Sequence, residues 1–336
     1  MCLHPRLVDN PKYRANKKNG GNIPIPTDQR ALYVPVGCGN CMECMKQKAR
    51  NWQVRLHEEI RANKNGYFVT LSFSDKALRD LSDAVQYVKV DGVDTPLRNI
   101  PRGYNLDNAI AKKAVRRFLE RWRKKHKKSC RHWLVTELGQ TSTERLHIHG
   151  LLFMEKDQVK DIEPIWKYGN IWIGDYVNER TVNYIVKYIH KADPIHKEYK
   201  PIVLSSPGIG KGYLNRFDAK NKKYSPGETR DYYTTRGGHK LPLPIYYRNY
   251  LFSEEERELL WMEKLDEEVR YVNGFKVDIS KGDEWYFKVL EEAQAKNKRL
   301  GYGDNTIDWN RRKYENEKRN MLKSKIWDAA PLQEKK

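Results

Sequence analysis

The sequence predicts an α+β fold in which a central antiparallel sheet is flanked by helices, with a cysteine-rich N-terminal segment before it and a helical extension after it. Three observations predict this. Aromatic and β-branched runs bounded by turn residues recur at Tyr67–Phe73, His132–Leu138 and Leu146–Met154. Between the first two runs, apolar residues recur at helical spacing. Four of the five cysteines lie within the first 44 residues.

Along the chain, the polar stretch Lys17–Asn22 with Pro24 and Pro26 predicts loop up to about Cys44. From Met45 to about Asn63 there is no Gly or Pro, and Trp52, Val54, Leu56 and Ile60 supply an apolar face, so a helix is expected. Tyr67–Phe73, between Asn65-Gly66 and Ser74-Asp75, is a strand. Residues 75–106 carry no clear periodicity. Ala111, Ala114, Val115, Phe118, Leu119 and Trp122 then define an amphipathic helix whose other faces hold Arg116, Arg117, Arg121 and the basic run Arg123–Lys128. That basic face suits either solvent or phosphate.

His132–Leu138 and Leu146–Met154 form a hairpin across the turn-rich Gly139–Arg145, and a short strand is expected at Ile171–Ile173. Residues 177–192 hold no breaker and predict a helix ended by Asp193-Pro194. Ser253 with Glu256 forms a capping box for a helix carrying Leu259, Leu260, Met262 and Leu265. The last thirty residues are expected to be weakly ordered. The expected organisation is a cysteine-rich segment over 1–60, a core over 61–200 and a partly helical extension over 201–336.

Composition narrows the function. The 336 residues, 39% hydrophobic, suffice for a buried core, and 64 Lys and Arg against 44 Asp and Glu leave a net charge of +20. That excess favours a polyanionic partner. No 18-residue apolar run and no signal-peptide core occur, so the chain is expected in the cytoplasm without a membrane partner. An odd number of cysteines without an export signal argues against a disulfide framework.

On a strand, the two imidazoles of His147-Ile-His149 project from one face about 6 to 7 Å apart. The pair alone is a weak signal. If residue 137 lies opposite residue 147, Glu137 joins the same face, and a slip of one residue would remove it. Two imidazoles and a carboxylate suit a divalent ion with open positions for a phosphate oxygen, whether Mg²⁺, Mn²⁺ or a catalytic Zn²⁺. On the helix of residues 177–192, Tyr184 and Tyr188 share one face with Lys187 and Lys191 beside them, and Ile185, Val186 and Ile189 lie opposite. The bland reading is a packing helix. The sharper one makes a phenol the nucleophile for phosphoryl transfer, with ammonium groups stabilising phenolate and phosphate.

Three motifs in this order, Phe68–Phe73, His147-Ile-His-Gly-Leu-Leu-Phe153 and Tyr184–Lys191, resemble the HUH endonucleases, and among them the replication initiators of single-stranded DNA phages of the microvirus, gokushovirus-like type. The resemblance extends to Cys38-Gly-Asn-Cys-Met-Glu-Cys44 and Ser206–Gly210 and so spans most of residues 1–250, and the region after about 270 gains nothing from it. It implies an HUH core and a metal-dependent nickase in which one tyrosine attacks the origin phosphate. The products are a 5′-phosphotyrosine link and a free 3′-hydroxyl for rolling-circle extension. The second tyrosine then cleaves the regenerated origin, and the released strand is closed into a circle. Implied partners are single-stranded and origin DNA together with a host helicase and replication machinery in the host bacterial cytoplasm. The metal carboxylate, Glu137, is identified only by its distance before the histidines.

Cys38, Cys41 and Cys44 at two-residue gaps, closed by Cys2, suit a structural zinc. An iron–sulfur run is incomplete, because residue 48 is Lys and no Cys-Pro follows. Cys130 stands apart as an ordinary buried residue. Gly208-Ile-Gly210-Lys211-Gly212 is not a phosphate loop, since Ser205 stands where the first glycine belongs and no Ser or Thr follows Lys211; a tight surface loop is expected. Two rival readings remain: a two-tyrosine transposase or relaxase, and a non-catalytic zinc-containing nucleic-acid-binding protein.

Overall fold

The computed structural model describes residues 2–304 apart from 91–92, 140–143, 175, 192, 194 and 197–198. The expectation for the last thirty residues therefore lies outside the described residues. The chain divides into two compact units: one of Lys48–Asn221 with Tyr232–Ile245, the other of Met1–Gln47, Lys222–Asp231 and Tyr246–Lys336. The sequence placed its boundaries near residues 60 and 200.

The first unit is built on a five-stranded, wholly antiparallel sheet of β1 (Gly66–Leu71), β2 (Arg131–Leu138), β3 (Leu146–Phe153), β4 (Ile171–Gly174) and β5 (Val203–Ser205), in the spatial order β4-β1-β3-β2-β5. The edge strand β5 extends this unit past residue 200. Helices in chain order are α1 (Met42–Ala62), α2 (Asp75–Gln86), α3 (Tyr104–His126), α4 (Ile162–Trp166), α5 (Glu179–Ile185) and α6 (Lys187–His190). Helix α1 starts three residues before the expected Met45. Helix α2, missed in the sequence, is capped by the Ser74 hydroxyl, which accepts from the Ala77 amide.

Alternation along the strands sorts side chains onto two faces. Val69, Leu71, Leu134, Leu138, Ile148 and Leu152 pack with Ile110, Ala114, Phe118 and Trp122 of α3 and with Trp166 of α4. Phe68, Trp133, Val135, Leu151 and Phe153 pack on the other face with Leu56 and Ile60 of α1 and with Val182, Ile185 and Ile189. Burying a side chain of this size contributes about 1.5–3 kcal/mol.

Gly150 allows β2 and β3 to lie this close, because a Cβ there would meet the Trp133 carbonyl oxygen at 2.1 Å and Leu134 Cα at 2.7 Å. The loop of Gly208 and Gly210, both at positive φ, is more tightly bound than a surface turn. Ile209 within it is fully buried, and the Gly210 amide donates to the buried Glu59 carboxylate, which also pairs with Arg131.

In the second unit, Arg6–Asp9 pairs with Tyr33–Val36, and Val269–Val272 with Phe275–Asp278 across Asn273-Gly274, both at positive φ as a two-residue hairpin turn requires. The expected capping box opens the helix Glu254–Asp266. Leu3, Met42, Tyr286 and Leu290 form a core beside the N-terminal cysteines. Among the described residues no helix is long and apolar enough to cross a membrane.

Candidate active site

Glu137 lies directly opposite His147 in the β2–β3 ladder. With the period of two, Glu137, His147 and His149 therefore share the face that packs against α5 and α6. Thr70, opposite His149 on β1, joins them. Its hydroxyl is 3.0 Å from His149 Nδ1, and His149 Nε2 is 2.7 Å from a Glu137 carboxylate oxygen. One ring nitrogen is thus tethered while the other points at the carboxylate, the arrangement by which a neighbour orients a metal-binding imidazole. The His147 ring lies alongside, 6.3 Å from that of His149 and tilted 22°. This nitrogen and oxygen donor set suits a divalent ion chemically.

The tyrosine helix is broken in two at Val186. Its φ of −69° and ψ of −15° tighten the turn, and the Ile189 amide bonds back to the Val186 carbonyl. The break leaves the two phenols together: Tyr188 donates to the Tyr184 hydroxyl at 2.7 Å. The Tyr188 ring stacks on His149 with centroids 4.5 Å apart and planes 7° apart. Burial, followed by the hydrogen bond with Tyr184, pushes the Tyr188 phenol above its ordinary range.

Ile185, Val186 and Ile189 turn into the core, as their spacing predicted. Lys187 Nζ sits 5.1 Å over the Tyr184 ring. Lys191 lines a pocket of about 30 Å³ with Glu137 and Tyr188. Tyr184 is 47% exposed and opens instead onto a cleft of about 700 Å³ shared with His149, Thr70, Phe68 and Trp172.

The segment after α6 is fastened by His196. Its Nδ1 is 2.8 Å from Asp193, and its Nε2 is 3.0 Å from Glu144 before β3. Burial lowers this imidazole's pKa, but the hydrogen bonds and charges of Asp193 and Glu144 together raise it above the ordinary value. Thr70, Trp172 and His196 escaped the sequence reading. Thr70 carried a signal, since it alternates with Phe68 within a recognised strand.

The basic face of α3 lies on the opposite side of the sheet from the histidines and tyrosines. Part of its charge serves structure. Arg121 donates to the Ile165 and Trp166 carbonyls, Lys125 pairs with Asp161, and Arg116 pairs with Glu120.

In the second unit, one donor atom each from Cys2, Cys38, Cys41 and Cys44 lies within 4.8 Å of the others. The sulfurs of Cys2 and Cys41 are 3.9 Å apart and those of Cys38 and Cys44 4.0 Å, close to the ~3.8 Å edge of a tetrahedron with ~2.3 Å zinc–sulfur bonds. Backbone amides of Leu3, His4 and Cys38 donate to these sulfurs. Contacts among the four sulfurs hold Cys38 and Cys41 below the ordinary thiol range and push Cys2 and Cys44 above it. The donors therefore fit a tetrahedral zinc. Cys130, in the other unit, is buried, its thiol pushed up to about 12 by burial.

No curated protein matches the chain. Among solved structures, the catalytic domain of the adeno-associated virus type 5 Rep protein is similar at 13% identity over 60% of this chain and 99% of that one, with a TM-score of 0.21, too loose a superposition to place individual residues. Residues 101–193, which carry α3, the two long strands, Glu137, both histidines and both tyrosines, match the family model of the ORF2-type replication-associated proteins, and over this segment the resemblance to replication initiators holds.

Proposed function

We propose that this protein initiates rolling-circle replication by nicking single-stranded DNA at an origin through a tyrosine and later rejoining the displaced strand. The observation that carries the reading is the packing of a two-tyrosine pair directly on a His-x-His strand with an acidic neighbour, within a segment that matches a replication-associated family.

In the first step a Tyr184 oxygen attacks the scissile phosphorus. The bond to the 3′ oxygen breaks, leaving a 3′-hydroxyl and a 5′-phosphotyrosine. Tyr184 suits this role because it opens onto the larger cleft and accepts a hydrogen bond from Tyr188. Lys187 beside its ring stabilises the developing phenolate. Tyr188, next to Glu137 and Lys191, is placed for the second cleavage and for strand joining. A divalent ion on His147, His149 and Glu137, Mg²⁺ or Mn²⁺, would polarise the phosphate when bound. Thr70 keeps the His149 ring turned for that task.

Cys2, Cys38, Cys41 and Cys44 are read as a structural zinc site. The order of the motifs favours an initiator of a microvirus-type phage working in the host bacterial cytoplasm. The chain carries no phosphate loop, so duplex unwinding falls to a host helicase.

The test is incubation with single-stranded DNA of its own genome and Mn²⁺. A denaturant-resistant protein–DNA adduct is expected, and it is lost in the Tyr184→Phe, Tyr188→Phe double variant. Binding without nicking or adduct would replace this reading with the non-catalytic one.

A further inference from the structure

Two cavities of the sheet unit share a wall. The cleft at Tyr184 and His149, about 700 Å³, and a second cavity of about 820 Å³ are both lined by Tyr176, Arg180 and Thr181, so they lie side by side and are together called the trough. Chemistry changes along it. At the tyrosine end stand aromatic faces, with Trp172 57% and Tyr176 71% exposed. Along the second cavity the exposed side chains of Arg61, Lys64, Arg236 and the shared Arg180 outnumber a single carboxylate, Glu179. Arg61 is engaged with Glu58, whereas Lys64, Arg180 and Arg236 pair with no acid among the described residues.

Exposed aromatic rings beside unpaired cations suit a ligand with flat apolar faces on a polyanionic backbone. We infer that the trough carries the single strand to one side of the scissile phosphate, stacking bases on Trp172 and Tyr176 and neutralising backbone phosphates at Lys64, Arg180 and Arg236. The inference rests on the nicking reading and adds the path of the substrate. It also explains why the strongly basic α3, behind the sheet, is not needed for that path.

The experiment measures binding of a fluorescent oligothymidylate of about 16 nucleotides, the upper range of single-strand site sizes, to the full chain across a salt series. The expected result for Lys64→Ala, Arg180→Ala, Arg236→Ala combined is a salt slope shallower by about 2, from ~0.7 for each of three phosphates. Trp172→Ala should separately weaken binding about tenfold through lost stacking. A control removing equal charge from the back of the sheet, Lys124→Ala, Lys127→Ala, Lys128→Ala, should leave the slope nearly unchanged. If the wild type forms the covalent adduct while the trough variants bind as it does, or while the control matches the triple variant, the inference is overturned. Absence of the wild-type adduct overturns the nicking reading instead.

Discussion

The rings of Tyr188 and His149 lie face to face, 4.5 Å between centroids and 7° from parallel, so the two-tyrosine segment and the strand of the histidines are joined by direct stacking. Tyr184 hangs from this stack through a 2.7 Å hydrogen bond. The two tyrosines thus occupy different environments, and their roles should separate.

Tyr184→Phe is expected to reduce first-strand nicking by at least about a hundredfold, the scale on which loss of a nucleophile acts. Tyr188→Phe should spare first nicking and abolish circular product. Denaturing gels of nicked and closed strands check both outcomes; equal loss of first nicking in the two variants would refute the division of labour.

Thr70→Val removes the hydroxyl that orients His149 while preserving shape. Loss of such an orienting partner typically costs about 10- to 100-fold in metal affinity. A Mn²⁺ titration of nicking should shift to higher concentration by that factor and recover near-normal rate at saturation. An unchanged titration would show that Thr70 merely packs.

Zinc at the four cysteines predicts one equivalent of the metal by elemental analysis, lost with Cys38→Ser and retained with Cys130→Ser. With its thiol pushed up to about 12, Cys130 should also resist alkylation at pH 8 in the folded protein. Finding no bound zinc in protein purified without chelator would contradict the assignment.

A β-carbon at residue 150 would press on the backbone of β2, which cannot step aside without parting the strands that pair Glu137 with His147. Gly150→Ala should therefore cost about 3 kcal/mol, the upper end of the usual overpacking range. Denaturant unfolding measures it, and a cost near zero would show that the ladder yields easily.

The raised pKa of His196 sets a pH dependence. A group whose folded pKa exceeds its unfolded value adds stability that is complete below the unfolded pKa and disappears as pH rises through the folded one. Stability should therefore fall as pH climbs above the ordinary imidazole value of about 6.5. His196→Gln should flatten that part of the profile, and an identical profile would remove the clamp from the account.

Much of the site was legible because it lies on strands, where a period of two assigns faces. The sequence left the pairing of Glu137 with His147 conditional on the hairpin register, and the ladder has that register. The tyrosine spacing also survived, although α5 and α6 are separated at Val186, because the tightened turn keeps residues four apart on one side. Positions that depend on tertiary contact were not legible. Helix α2 was missed although Ala77, Leu78, Leu81, Ala84 and Val85 recur at helical spacing behind the Ser74 cap, because residues 87–103, which follow, blur the pattern over 75–106. The basic run of α3 pointed toward DNA by composition, yet the sheet stands between it and the tyrosines. Sequence gives charge but not the side on which the charge falls.

Covalent attachment of DNA to the tyrosine pair is located by peptide mapping of the adduct. Trypsin cuts after Arg180, Lys187 and Lys191, so Tyr184 falls in the peptide 181–187 and Tyr188 in the peptide 188–191. With nuclease-trimmed adduct from a first nicking reaction, a nucleotide mass is expected on peptide 181–187. A mass on any peptide other than these two, or unmodified tyrosines in a reaction that has nicked its DNA, would contradict attachment to this pair.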